Sequence, residues 1–281
     1  MTTVTIDGVA FVDTGETGRV YTRLAGWYGS PPVRADAVER PGADGAFSVS
    51  KAYRSPRSVT FEGNLFGASS NAAMVLWSEF AGVQSSGAPV TITVEDDFGL
   101  LSAVASLDGP VSIEAISRDS ASVTATFICY DPIKYGPVRT LTTGLPTSGG
   151  GLTYELFEPD GELDYGANGL LGRVTLTNVG TAAVYPKFTV TGALTTGFFV
   201  QRLDTGQRLR YDRVVPAGSN VVIDSRTGSV VVDGTSDGST YLTVAEFFAV
   251  EAGASFDVQF NAIGGSSGTP LLAAQISDGY W

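Results

Sequence analysis

Hydrophobic and polar positions alternate along most of this chain, and the alternation is broken by a small set of residue types. In the clearest run, Ala121, Val123, Ala125, Phe127 and Cys129 alternate with Ser122, Thr124 and Thr126. A period of two puts one face of a strand on a core and the other toward water. Asp131-Pro132 then stops the run. Proline has no amide to give a ladder and forces its predecessor into an extended conformation, so the pair marks an edge or a boundary. Val4 and Ile6, then Val59, Phe61 and Leu65, then Val90, Ile92 and Val94 repeat the pattern, with Asp96-Asp97-Phe98-Gly99 as a hairpin turn. One segment has the helical period instead: Met74, Trp77, Phe80 and Ala81 follow Gly67-Ala68-Ser69-Ser70-Asn71. This predicts a helix over about 70–83, capped by Ser70 or Asn71 and closed by Gly82 or Gly87. Between Asp13 and about Ala46 the chain is rich in Gly, Pro and Arg, with Trp27-Tyr28 and Pro31-Pro32 inside it, and reads as too polar and broken for core.

The second half holds short alternating runs at Val174 and Leu176, at Val184, Phe188 and Val190, at Val221–Ile223, at Val230–Val232, and at Phe256, Val258 and Phe260. Clusters of Gly, Asn, Asp and Ser separate them, which predicts an antiparallel β-sandwich. Residues from Pro137 to Gly151, with Pro146 and Ser148-Gly149-Gly150-Gly151, read as a flexible loop early in a second domain. The fold class expected is mainly β in two domains, 1–137 with one α-helix on β-sheet and 138–281 as the sandwich. Asp131, Pro132 and Tyr135 are placed at the junction between them.

Composition narrows the functions. A chain of 281 residues that is 43% hydrophobic and 16% charged can bury two cores and is too apolar for disorder. It has no apolar run long enough for a membrane span, and Met1–Asp7 lacks the basic start and apolar core of a secretion signal, so synthesis and assembly in a cytoplasm without membrane insertion are expected. There is no histidine, which removes Ser-His-Asp and Cys-His catalysis and histidine metal sites. The single cysteine, Cys129, sits on the apolar side of its strand and reads as a small buried hydrophobe. No phosphate loop of the Gly-x-x-x-x-Gly-Lys type occurs, so no cofactor is expected. A net charge of -12 opposes binding to a phosphate backbone.

Several groups stand out as candidate sites. Asp160, Glu162 and Asp164 alternate as the first ligands of a calcium loop do, but Gly166 is one place late and Leu171 stands where the closing Glu belongs, which favours a solvated acidic loop. Asp96-Asp97, or Glu155 with Glu158, supply the carboxylates a glycosidase needs, without any sign of the fixed separation it requires. Trp27-Tyr28 and Tyr280-Trp281 suit either sugar stacking or a neighbouring subunit. Basic residues crowd the start of the chain, at Arg19, Arg23, Arg34, Arg40, Lys51, Arg54 and Arg57. Ser58–Ser117 has none and holds Glu62, Glu79, Glu95, Asp96, Asp97, Asp108 and Glu114. Complementary faces of this kind join head to tail and close rings, which makes Arg19, Arg23, Trp27, Tyr28, Arg34, Arg54, Arg57, Asp96 and Asp97 candidate subunit-interface residues; solvated loop charges are the competing reading. A second basic cluster comprises Arg202, Arg208, Arg210 and Arg213.

A strand that ends in an aromatic, Asp131-Pro132, two residues and Tyr135 near the middle of an all-β chain resembles the distal tail proteins of long-tailed bacteriophages. The second half is similar as well: Asn178-Val179-Gly180 followed by Pro186, Phe188, Val190 and Gly192; Val221–Asp224 with Thr227-Gly228 and Val230; then Phe247-Phe248, Gly253, Phe256, Val258 and Phe260. The resemblance implies an amino-terminal ring-forming domain and a galectin-like carboxy-terminal sandwich. It implies a homo-hexamer in the tail tip of a virion, with neither enzymatic activity nor cofactor. The ring would join the tail tube protein to the tip hub or tail-associated lysin and to receptor-binding proteins. DNA would pass through its lumen without specific binding. A carbohydrate-binding sandwich for host attachment, and an acidic hydrolase relying on carboxylates alone, are the alternatives from other classes.

Overall fold

The computed structural model describes residues 1–13, 18–34, 38–47, 52–149 and 169–281. The chain divides into two compact units, Met1–Pro137 with Tyr280–Trp281, and Val138–Gly279. Both are built on β-sheet, and the described residues contain one α-helix, Ser70–Ala81.

The first unit is one sheet that closes on itself. Its order runs Ser112–Ala115, Ser120–Cys129, Arg57–Phe66, Arg19–Ala25, Val9–Val12, Thr3–Ile6, Val90–Asp96, Gly99–Leu107 and Lys134–Tyr135. The closure comes from Ser106 and Leu107, which pair with Ile128 and Phe127 on the far end of Ser120–Cys129. Closing a sheet removes the open edges that invite aggregation. Alternation fills the interior: Val59, Phe61 and Leu65 meet Ala121, Val123, Ala125, Phe127 and Cys129 across a ten-residue register. The helix caps this core. Phe80 joins Phe11 and Phe61 in a cluster of rings 4.6–5.9 Å apart, and each such buried ring contributes about 1.5–3 kcal/mol.

The helix register differs from the expected one. Ser69 is the cap, its hydroxyl accepting from the Ala72 amide at 3.3 Å. The inward residues are Ala73, Leu76, Trp77 and Phe80, while Met74 and Ala81 face solvent. Two small residues flank the stripe, so size alone does not reveal which alanine is buried. The stretch after Asp13 is also more ordered than its composition suggests. Arg19–Ala25 pairs with Arg57–Phe66, and Leu24 and Trp27 enter the core.

The second unit is a sandwich of two antiparallel sheets. The six-stranded sheet runs Arg139–Gly144, Ser266–Ile276, Lys187–Leu194, Asn220–Asp224, Ser229–Val232, Ser236–Asp237; the five-stranded one runs Arg173–Thr177, Ser255–Ile263, Gly197–Arg202, Arg208–Tyr211, Leu242–Ala245. Phe248 joins them, its ring 5.9 Å from Phe188 on one sheet and 5.8 Å from Phe256 on the other. The segment expected to be a flexible loop after Pro137 is instead an edge strand, Arg139–Gly144, paired from Arg139↔Ile276 to Gly144↔Leu271. Its Thr-rich sequence suits a half-exposed edge. Gly150 and Gly151 lie outside the described residues.

Candidate functional site: the stopped strand and the Trp27 loop

The strand Ser120–Cys129 is followed by a knot of polar bonds. The Asp131 carboxylate accepts from the Ile133 amide at 3.2 Å and from the Tyr135 hydroxyl at 2.8 Å, which closes a tight turn over Pro132. Tyr135 then pairs with Ser102 on the neighbouring strand. The Asp-Pro-x-x-Tyr pattern is thus a self-contained turn: aspartate supplies two acceptors, proline blocks continuation of the strand, and tyrosine supplies the donor.

Arg57 holds this turn to the Trp27 loop. Its Nε donates to the Pro132 carbonyl at 3.0 Å, and its Nη1 donates to the carbonyls of Gly26, Trp27 and Gly29 at 2.7, 3.0 and 2.6 Å. Lys134 reaches the same place from the other side, its Nζ donating to the Trp27 carbonyl at 2.9 Å and lying 5.6 Å from the Trp27 ring centroid. Trp27 and Arg57 are each 1% exposed and Lys134 is 4% exposed. Burial lowers the Lys134 amine to about 8, with Arg57 adding to the effect and Asp96 opposing it. Burial likewise lowers Arg57 and pushes the Cys129 thiol up to about 11.

The buried positions of Trp27 and Arg57 correct their assignment as subunit-interface residues. Both are core. Arg57 shares the parity of Val59, Phe61 and Leu65, so the strand's own period turns it inward, and Trp27 is drawn under it by the carbonyls it presents. Lys134, which the sequence reading passed over, belongs to the same knot. It alternates with Tyr135 in a two-residue strand, and the Trp27 carbonyl that draws it inward lies far along the chain.

The other flagged residues take several places. Arg19 pairs with Glu79 on the helix, and Arg23 with Glu62 at 3.4 Å. Basic and acidic segments therefore meet within one unit at these positions, which takes both arginines out of the pool of uncompensated surface charge. Exposed pairs of this kind contribute about 0–1 kcal/mol. The Tyr28 hydroxyl donates to Asp96 at 2.8 Å, and Asp96 also accepts from the Phe98 amide at 2.9 Å, so the Asp96–Gly99 hairpin turn is tied to the loop. Asp97 is exposed at its tip. Arg34 pairs with Tyr53 in a short exposed ribbon. Arg54 bonds the Ser30 hydroxyl and, at 3.1 Å, the Pro31 carbonyl, with its guanidinium 4.6 Å over Trp281. Phe98 meets Tyr280 edge-on at 5.2 Å. Trp27, Tyr280 and Trp281 thus have protein partners at their rings, while Tyr28 is held by its hydroxyl and is 59% exposed.

Asp160, Glu162, Asp164, Glu155 and Glu158 lie outside the described residues. Among the described residues no group of three or more metal-capable side chains occurs, and no helix is long and apolar enough to cross a membrane. Cys129 is free and buried. Its raised pKa leaves about 100-fold less thiolate near neutral pH. An aromatic disulfide reagent is therefore expected to modify it at least about 100-fold more slowly in the native protein than in denaturant; comparable rates would contradict the buried placement.

In the second unit a polar side chain plays the part that Arg57 plays in the first. Asn178 is fully buried. Its Nδ2 donates to the carbonyls of Ala182, Val250 and Glu251 at 2.8, 3.0 and 3.2 Å, and its Oδ1 accepts from the amides of Gly180 and Gly279 at 3.0 and 3.3 Å. A Cβ on Gly180 would stand 2.0 Å from the Gly279 carbonyl oxygen. Asn-x-Gly is accordingly a requirement of close packing. Gly192, at φ 122°, sits where the ladder between Lys187–Leu194 and Ser266–Ile276 slips, 2.5 Å from Pro270 as measured from its added Cβ. That bulge is what lets a proline lie inside an interior strand.

Residues 179–265 match the family described as the siphovirus-type tail component, C-terminal domain. This likeness lies within the second unit. Among solved structures, the crystal structure of the SPP1 Dit protein, described as a paradigm of the hub adsorption apparatus in phages infecting Gram-positive hosts, is similar over 100% of both chains, with 14% identity and a TM-score of 0.67. Chains of the phage P2 baseplate in its activated conformation are similar over 98% of both chains, with 13% identity and a TM-score of 0.57 for the calcium form, and 12% and 0.56 for the strontium form. No curated protein sequence matches the chain. The mainly β fold with one helix and the distal-tail resemblance are borne out.

Proposed function

We propose that this chain is a non-enzymatic structural subunit of a phage tail tip, assembling as a homo-hexameric ring between the tail tube protein and the hub or tail-associated lysin. In this reading residues 1–137 form the ring and 138–281 the galectin-like sandwich, which meets receptor-binding proteins. The protein is made in the host cytoplasm and resides in the virion tail. The observation that carries the reading is the tail-component domain at residues 179–265. The whole-chain likeness to a hub protein and to baseplate chains supports it. Asp131, Pro132 and Tyr135 serve as the junction in this proposal. The interface draws on Tyr28, Arg34, Arg54, Asp96 and Asp97, with Arg19 and Arg23 contributing through their ion pairs.

At -12 per chain, part of the acidity faces the lumen, where like charge lets DNA slide without backbone contacts. Ring closure then works against self-repulsion, and screening favours it. Native mass spectrometry of the full chain is expected to show a species of six times the chain mass whose share rises from low to moderate salt, with ring-shaped particles in negative stain. A monomer under every condition would overturn the hexamer. Oligomers of residues 138–281 beside monomers of 1–137 would move the assembly role to the other half.

A further inference from the structure

The outer face of the five-stranded sheet carries side chains whose hydrogen-bonding capacity the protein leaves unused. Arg173, Gln259, Gln201 and Arg208 stand side by side on four adjacent strands, through the pairings Arg173↔Gln259, Gln259↔Gln201 and Gln201↔Arg208. At roughly 4.8 Å per strand the row is about 14 Å long. Its members alternate with the buried Val174, Val258, Val200 and Leu209, so the row faces away from the core. Asn261, Phe199 and Arg210 form the next row of the same face. Among the described residues the side-chain amides of Gln201, Gln259 and Asn261 and the Arg173 guanidinium have no hydrogen-bond or ion-pair partner. The Arg208 guanidinium lies 5.6 Å from the Phe199 ring centroid, a contact that positions it without a counter-charge. On the other side of the row Thr175, Ser255 and Asp257 line a hollow of about 480 Å³, together with Leu203, Asp204 and Phe256.

These groups differ in what they offer. Side-chain amides donate and accept at once, arginine only donates, and the Asp204 and Asp257 carboxylates only accept. A phosphate or carboxylate ligand needs donors alone, whereas a sugar hydroxyl both donates and accepts. Charge points the same way. Arg202 and Arg210 are paired with Asp204 and Asp212, and Arg173 and Arg208 are matched in number by Asp257 and Glu246, so this face is neutral in sum on a chain of net charge -12. An anionic polymer gains no net attraction from it. We propose that this face binds an uncharged oligosaccharide laid across the strands, its hydroxyls bonded by Gln201, Gln259 and the flanking arginines, with one sugar unit seated in the hollow beside Thr175 and Asp257. The site lies wholly within the second unit, so it adds a glycan-contacting surface to the sandwich and does not depend on the ring.

The test is calorimetric titration of the full chain with neutral hexasaccharides built of glucose, galactose or N-acetylglucosamine units, and with hexagalacturonate as the charged control. At least one neutral hexasaccharide is expected to bind. Gln201→Ala and Gln259→Ala should each weaken that binding about five- to tenfold, with Tm unchanged. Lys187→Ala, on the outer face of the other sheet, should bind as the parent does. Crystals of the unaltered protein soaked in the same hexasaccharide should show sugar over Gln201 and Gln259, a measurement that stands even if a variant fails to fold. Binding by none of the neutral sugars, equal binding by hexagalacturonate, parent-like affinity in both glutamine variants, or sugar only at other positions would overturn the site.

Discussion

Replacing Asn178 by alanine is expected to destabilise the second unit by about 3–5 kcal/mol, an effect large enough to leave much of it unfolded at physiological temperature. The side chain makes five hydrogen bonds to backbone groups from three separate segments: Gly180 and Ala182, Val250 and Glu251, and Gly279. Val250 and Glu251 keep other donors, from Val184 and Ala254. The amides of Gly180 and Gly279 and the Ala182 carbonyl lose their Asn178 partner within a close-packed core, and each orphaned buried group costs about 1–3 kcal/mol. Aspartate should be no better than alanine. It keeps an acceptor for the two amides but turns a charged oxygen toward three carbonyls. Hydrogen exchange read by mass spectrometry can localise the change, with peptides covering Arg173–Thr177 and Ser255–Ile263 losing protection in Asn178→Ala. Protection within a few-fold of the parent would show that the network contributes little.

The same residue shows how far the sequence could be read. Asn178-Val-Gly180 was visible as part of a family-like pattern, but a period-two reading assigns Asn178 only to a turn, because its worth lies in partners far along the chain. Elements whose signal is local were legible: the alternating strands of the first unit, the Asp96–Gly99 hairpin, the stop at Asp131-Pro132. Ser266–Ile276 was not, although it is interior to its sheet. Pro270 and its alanines argue against an interior strand, and the bulge that accommodates them is set by Gly192 on a different strand. Arg19–Ala25 was hidden by charge, since its arginines reach ion-pair partners that become neighbours only on folding. Of the interface candidates, Arg57 lies inward because its phase within Arg57–Phe66 outweighs its residue type. Trp27 lies inward in the loop after Arg19–Ala25 because Arg57 and Lys134 hold its carbonyl, partners far along the chain.

Arg57→Met should cost the first unit about 3–5 kcal/mol, while Lys134→Met should cost little or stabilise it, although both remove one buried cation from the same knot. The difference lies in what each leaves behind. Loss of Arg57 orphans the carbonyls of Gly26, Gly29 and Pro132; loss of Lys134 orphans none, because the Trp27 carbonyl still accepts from Arg57. The pair also separates by pH. Lys134 has a folded pKa of about 8 against an ordinary 10.5, so below pH 8 both folded and unfolded chains carry the proton and the full penalty of a buried ammonium applies. As pH rises past 8 the folded chain sheds the proton first, and stability rises. Linkage gives about 1 kcal/mol between pH 7 and 9. Above pH 9 the Cys129 thiol acts in the opposite sense. Its folded pKa, raised from 9.0 to about 11, lets the unfolded chain ionise first, so stability is lost and the profile flattens. All three tryptophans, Trp27, Trp77 and Trp281, lie in the first unit, so their fluorescence follows its unfolding by urea without interference from the second. The parent midpoint is expected to climb from pH 7 to 9 and that of Lys134→Met to stay level. A level profile in the parent would mean that the amine is solvated and the knot less closed than its hydrogen bonds imply.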